Sequence, residues 1–206
     1  MQLLLATTNP AKLRDMKMSF SDLAADCAFV LVSPKDLVNE PFEVEETGAT
    51  FAENAIQKAE AAAERFGVPA VADDGGLEID ALGGNPGVFS RRWPGYAADD
   101  ETLIAYAVGQ LKDIPKGQRG AQFRTVSAFA APGGKTVTAE GVLRGEIAFR
   151  VHDDRDPGYP FRSLFVLPEF HKYMIELSDS EEVQLSHRRK SLLGLAPAIR
   201  SYFSHT

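Results

Sequence analysis

The sequence predicts an α/β fold, and three observations carry that prediction. Residues 3–6 form a short apolar run, followed by the polar Thr7-Thr8-Asn9-Pro10 and then by Leu13, Met16, Phe20 and Leu23 at helical spacing. Thr50-Phe51-Ala52-Glu53 reads as a capping box opening a second, alanine-rich helix, with another apolar run at residues 69–72 behind it. Residues 122–131 and 135–149 read as a long hairpin around Pro132-Gly133-Gly134. A chain of 206 residues suffices for one well-buried α/β domain or two small lobes.

Composition removes several function classes. Apolar residues make up 44% and charged residues 25%, an ordinary soluble globular balance. A net charge of -7 argues against general affinity for a nucleic acid polymer. Cys27 is the only cysteine, which excludes an internal disulfide and a paired-cysteine zinc site and fits a reducing, cytoplasmic setting. The apolar start is too short, and lacks the basic flank, for a signal peptide. No run approaches the ~20 residues of a membrane helix, so no membrane partner is expected.

The first helix is expected over residues 12–23, with Thr8 or Asn9 as its cap and Pro10 in its first turn. Free N–H groups at such a start favour phosphate, and Lys12 would add charge; an ordinary capped helix with a solvent-facing lysine fits the same residues. Residues 28–32 read as a second strand, ended by Ser33-Pro34. Phe42-Glu43-Val44-Glu45 alternates apolar and acidic residues. The capping-box helix is expected to run to about Arg65 and stop at Gly67, with Ala55, Ala59, Ala62 and Phe66 as its apolar stripe. Lys58 lies beside that stripe, and Glu46 precedes the helix as a metal ligand, a cap or a solvated loop acid.

Residues 69–72 are expected to end in a sharp break at Asp73-Asp74-Gly75-Gly76, placing two adjacent carboxylates at a strand end. Strand ends of open α/β sheets are ligand sites, and paired acids must be solvated, paired or neutralised by a cation. Residues 77–80 alternate like a half-exposed strand, and residues 81–88 form a glycine-rich loop that fits neither a dinucleotide fingerprint nor a P-loop. Arg91-Arg92 beside Trp93 would grip phosphate or a partner, or form a solvated rim. Residues 99–111 read as a helix, and residues 164–168 as a short strand. Asp153-Asp154-Arg155-Asp156 lacks EF-hand spacing and reads as a solvated loop. Ser186-His187-Arg188-Arg189-Lys190 opens a last helix with a kink at Pro197. Basic residues at a helix start oppose its dipole, which points to a bound anion or acidic partner there, or to pairing with Glu181 and Glu182.

Taken together, these segments resemble the inosine triphosphate pyrophosphatase family. Thr7-Thr8-Asn9-Pro10-Ala11-Lys12 is similar to its T-x-N-x-x-K motif, and residues 46–58 to E-T-G-x-T-F-x-E-N-A-x-x-K. Ala72-Asp73-Asp74-Gly75-Gly76-Leu77 is similar to A-D-D-S-G-L, residues 81–88 to the loop behind it, and Ser186-His187-Arg188 to S-H-R. Five motifs in the family's order span nearly the whole chain. The resemblance implies a single elongated domain over residues 1–206, with a mixed curved central sheet, two lobes and a nucleotide cleft, usually as a homodimer. It implies magnesium-dependent hydrolysis of a noncanonical purine nucleoside triphosphate to monophosphate and pyrophosphate. Glu46, Asp73 and Asp74 would be the metal ligands and Asp74 the general base. Thr7, Thr8, Asn9, Lys12, Lys58 and Gly75 would hold the triphosphate side, and Tyr159, Phe161, Arg162, Glu182, Ser186, His187 and Arg188 the rest of the substrate.

Two departures fall in the region the resemblance assigns to the base. The family's G-F-G-[YW]-D-P stands here as Gly158-Tyr159-Pro160-Phe161-Arg162-Ser163, so an aspartate has become Arg162. The lysine four residues before S-H-R is Glu182. An ionised glutamate accepts where a lysine donates, which would move preference toward an amino-bearing or modified base. Alternatively, Arg162 and Glu182 pair with each other. A nucleotide-binding protein without turnover is a further reading, opposed by the intact Glu46, Lys58, Asp73 and Asp74.

Overall fold

The computed structural model describes residues 1–38 and 42–204. The elements are β1 (Gln2–Leu5), α1 (Pro10–Asp26), β2 (Val30–Val32), α2 (Pro34–Leu37), α3 (Phe51–Phe66), β3 (Ala70–Ile79), α4 (Asp100–Gln110), β4 (Gly120–Ala130) and β5 (Val137–Ile147), followed by β6 (Phe165–Leu167), β7 (Lys172–Tyr173), α5 (Asp179–Leu185), α6 (His187–Gly194) and α7 (Ala196–Ser204). The strands form one mixed sheet in the order β2-β1-β3-β4-β5-β6-β7. β1 pairs in parallel with β2 and β3, while β6 is antiparallel to β5 and β7. The six residues joining β4 to β5 are too few for a parallel crossover, so the predicted hairpin forms.

The chain divides into two compact units. One comprises Met1–Asp74, Thr125–Gly141 and the segment from His187 on; the other comprises Gly75–Arg124 and Val142–Ser186. The first unit's core brings Leu3, Leu5 and Val71 from the strands together with Met16 and Phe20 of α1, Leu192 of α6, and Ile199 and Phe203 of α7. Phe29 stacks on Phe203 at 4.4 Å between ring centroids. The second unit's core packs Leu77, Ile79, Leu143 and Phe165 of the sheet against Leu103, Ile104 and Ala107 of α4. Buried Arg119 of that unit donates to the carbonyls of Ile114, Ala148 and Leu111. Its guanidinium lies 3.9 Å from the Phe149 ring. Nothing in the sequence pattern singled it out.

Local chemistry sets the helix ends. The Asn9 side chain caps α1 by accepting from the N–H groups of Ala11 and Lys12, which settles the choice between Thr8 and Asn9. Thr50 and Glu53 complete the predicted capping box, and Gly67 ends α3 at φ 65 in the left-handed region. Asp99 caps α4. The last helix is broken rather than kinked: α6 stops at Gly194 and α7 restarts with Pro197 as its second residue. Proline has no N–H for the carbonyl four residues back, so a continuous ladder cannot pass.

β3 corrects the largest expectation. The backbone does not break at the two aspartates but runs extended through Asp73-Asp74-Gly75-Gly76 to Ile79, so the carboxylates lie within a ten-residue strand. Gly76 is required there by crowding rather than by a turn. A Cβ on it would collide with the Ser90 hydroxyl and approach the Gly87 carbonyl to 2.8 Å. No described helix is long and apolar enough to cross a membrane.

Candidate active site

Successive side chains of a strand point to opposite faces, so β3 presents Asp73 on the face of Val71, toward α1 and α6, and Asp74 on the other. α3 meets Asp74: the Asn54 amide donates to Asp74 Oδ2 at 2.9 Å, and Lys58 Nζ lies 3.5 Å from Asp74 Oδ1. Lys58 also reaches Glu46 at 2.6 Å. The amide of Asn54 is oriented by the Gly48 N–H, which donates to its oxygen at 2.8 Å. A Cβ at Gly48 would come within 2.6 Å of that oxygen, which explains the glycine of the segment. Asn54 therefore positions the carboxylate, a role for which the sequence offered only its place in the motif.

On the opposite face, Asp73 Oδ2 receives Lys12 Nζ at 3.2 Å and Arg188 Nε at 3.1 Å. Arg188 also donates to Asp15 at 3.1 Å, a partner absent from the expected site. The basic start of the last helix thus has an acidic partner, as its charge implied, but that partner is Asp73 and Asp15. Glu181 instead binds Lys172, and Glu182 binds Arg162. The first turn of α1 is less open to an anion than expected, because Asn9 occupies the N–H groups of Ala11 and Lys12.

The environments drive the two neighbouring carboxyls apart. Burial raises Asp74 above the ordinary carboxylate value, and Lys58 and Asn54 offset this only in part. Burial acts the same way on Asp73, but Lys12, Arg188 and Lys58 outweigh it and hold Asp73 far below that value. Burial would lower the Lys58 ammonium, yet Asp74, Asp73 and Glu46 keep it above its usual value. Lys12 is lowered, first by burial and then by repulsion from Arg188 and Lys58, which Asp73 does not fully offset. Adjacent acids pushed in opposite directions can divide the roles of proton acceptor and permanent anion.

The donor set suits a hard cation. Asp73 Oδ1 is buried and has no hydrogen-bond partner among the described residues, an expensive state for a carboxylate oxygen. No group of three or more His, Cys, Asp or Glu is gathered closely enough to hold a metal among the described residues. These residues therefore fit an ion held by one or two carboxylates together with substrate phosphates, as magnesium is, rather than a ready-made cage.

A model of the Ham1 family matches residues 3–198. The chain belongs to the Ham1 family. It is 38% identical to the dITP/XTP pyrophosphatase of Desulforamulus reducens, over 100% of this chain and 98% of that one. It is 40% identical to the dITP/XTP pyrophosphatase of Geobacillus kaustophilus, over 94% and 92%. The structure of a HAM1 protein from Coxiella burnetii superposes with a TM-score of 0.84 at 33% identity, covering 98% of this chain and 99% of that one.

The remaining expected site residues of this Ham1 chain are distributed as follows. Thr7 accepts from the Asn9 N–H, and Thr8 is exposed. Gly75 lies within β3. Phe161 is buried in the second unit, edge-on to Trp93 at 6.1 Å, so its ring belongs to that core. Trp93 also meets Tyr106, while Arg91 pairs with Asp100, contacts that a half-buried rim would make. Arg162 donates to both oxygens of Glu182, each at 2.8 Å, and reaches Asp156 at 3.2 Å. Its guanidinium carbon lies 5.8 Å from the Tyr159 ring centre. Ser186 ends α5, and buried His187 begins α6.

Proposed function

We propose that this Ham1 chain hydrolyses noncanonical purine nucleoside triphosphates, dITP and XTP among them, to the monophosphate and pyrophosphate. The observation that carries the reading is the Asp73–Asp74 pair, split across β3 between two sets of cations. The names of its full-length relatives supply the substrate class.

Asp74 is the group suited to take the proton of the attacking water. Its burial favours the protonated form, and Asn54 fixes its orientation. Asp73 remains an anion because Lys12 and Arg188 oppose it. Lys12 and Lys58 carry the positive charge that a triphosphate and a departing pyrophosphate require. One or two of the expected ligands Glu46, Asp73 and Asp74 would hold magnesium together with the substrate phosphates; Asp73 and Asp74, on opposite faces of β3, would not share one ion. When bound, magnesium supplies charge neutralisation and polarisation at the phosphates. The protein is taken to act as a single-domain homodimer in the cytoplasm.

The test is pyrophosphate release from dITP, XTP and the standard deoxynucleoside triphosphates, with and without magnesium. Turnover of dITP and XTP that needs magnesium is expected. Asp74→Asn should remain folded and lose about two to four orders of magnitude in rate. Near-parental turnover by that variant refutes the assignment of the base.

A further inference from the structure

Arg188 reaches Asp73 only because α6 lies at a particular depth on the sheet, and two residues remote from the chemistry set that depth. At β5, Gly141 faces the first turn of α6. A Cβ there would collide with the His187 carbonyl oxygen and come within 2.9 Å of both Lys190 Cβ and the Ser191 nitrogen. At β4, the Ser127 hydroxyl lies 2.7 Å from that of Ser191, and both residues are fully buried. The Ser191 hydroxyl donates to the Arg188 carbonyl at 2.8 Å. Its only proton is thereby used, so Ser127 is the donor to Ser191. The chain Ser127–Ser191–Arg188 ties the backbone of Arg188 to the sheet, at the same turn of α6 that Gly141 lets settle. The other end of α6 has a contact of a different kind: a Cβ on Gly194 would lie 2.7 Å from the Ala139 side chain.

We propose that Gly141 and Ser127 are positioning residues for the reaction. They seat the start of α6 so that Arg188 neutralises Asp73, and they touch no substrate. The inference rests on the role given to Asp73 and Arg188 under the proposed function. An obstructed seat moves Arg188 away from a carboxylate that is 1% exposed, with no solvent to replace it.

The experiment is a double-mutant cycle read in kcat and KM for dITP with magnesium, on variants shown to be folded by circular dichroism. Gly141→Ala and Arg188→Ala should each lower kcat/KM, on the order of a hundredfold for a misplacement of this kind. The double variant should lose no more than Arg188→Ala alone. Ser127→Ala, which leaves the helix unobstructed, should show a smaller loss that also vanishes in the Arg188→Ala background. Gly194→Ala serves as the control: it strains the same helix away from Arg188, so its effect should multiply with that of Arg188→Ala and be relieved by Ala139→Gly. If Gly141→Ala fails to fold, the Ser127→Ala cycle decides alone. Losses from Gly141→Ala or Ser127→Ala that multiply with the Arg188→Ala loss overturn the inference while leaving the proposed function standing. Parental turnover in Arg188→Ala overturns the role of Arg188 and the inference with it.

Discussion

Asp73 and Asp74 are neighbours in sequence, yet they answer to different surroundings. The folded-state value of Asp73 is depressed, so it stabilises the fold above the ordinary carboxylate range, and that contribution is lost as pH falls through its lowered value. Asp74 is raised, so it favours the fold at low pH and opposes it once the pH rises through its raised value. In the metal-free protein, carboxyl NMR should show Asp74 titrating above the ordinary value of about 3.9 and Asp73 below it. At pH 7 the two asparagine variants should separate in urea unfolding. Asp73→Asn should lose about 3 kcal/mol, because Lys12 loses its ion-pair partner and Arg188 keeps only Asp15. Asp74→Asn should be neutral or stabilising, since it removes a buried charge at some cost in function. Equal destabilisation by both would contradict this division. Lys12→Ala and Lys58→Ala should raise KM for every nucleotide by a similar factor, because phosphate contacts carry no information about the base; a loss confined to one nucleotide would exclude that role.

At the level of elements, what was legible was local. Asn9, Thr50, Glu53 and Gly67 cap or end their helices as expected, because each acts on backbone within four residues of itself. The acids and lysines of the site were legible as motifs. What escaped the sequence depends on remote partners. Arg188 and Asp73 are 115 positions apart, and the alternative acids Glu181 and Glu182 were closer in sequence but engaged elsewhere. The passage of β3 through four turn-prone residues was hidden for the same reason. Gly76 looks like a break until the loop carrying Gly87 and Ser90 is laid against it. The Ser90 hydroxyl accepts from the Leu77 N–H at 3.1 Å and donates to the Gly87 carbonyl at 2.7 Å, fastening that loop to the strand. Gly76→Ala should therefore cost roughly 1–3 kcal/mol by overpacking, measured as a lower urea midpoint. Ser90→Ala combined with it should restore only part of the loss, because the Gly87 carbonyl stays in place. Parental stability in Gly76→Ala would show that the loop yields freely and does not hold the strand.

For the whole molecule, the question left by the sequence is whether the exchanged charges at Arg162 and Glu182 alter substrate choice. The structure shows the two paired with each other. Both Glu182 oxygens accept from Arg162, whose side chain is 12% exposed. An acceptor already engaged in a bidentate pair has little left for the amino group of a base, so the pair is expected to fasten the turn at residues 160–163 to α5. On this account the proposed preference for dITP and XTP should hold in this chain. Glu182→Lys alone should lower stability by about 1 kcal/mol, discounted because the Glu182 side chain is 43% exposed, or roughly 2–4 °C in Tm. Adding Arg162→Asp leaves the net charge of the parent and rebuilds an ion pair, but Asp156 would then face a carboxylate, so recovery should be partial. The ratio of kcat/KM for dITP over dATP should be unchanged from parent to double variant. If the parent instead favours the amino-bearing nucleotide, and the double reversal swings the ratio toward dITP by tenfold or more, about 1.4 kcal/mol, then Glu182 reads the base and the pairing seen here gives way when substrate binds.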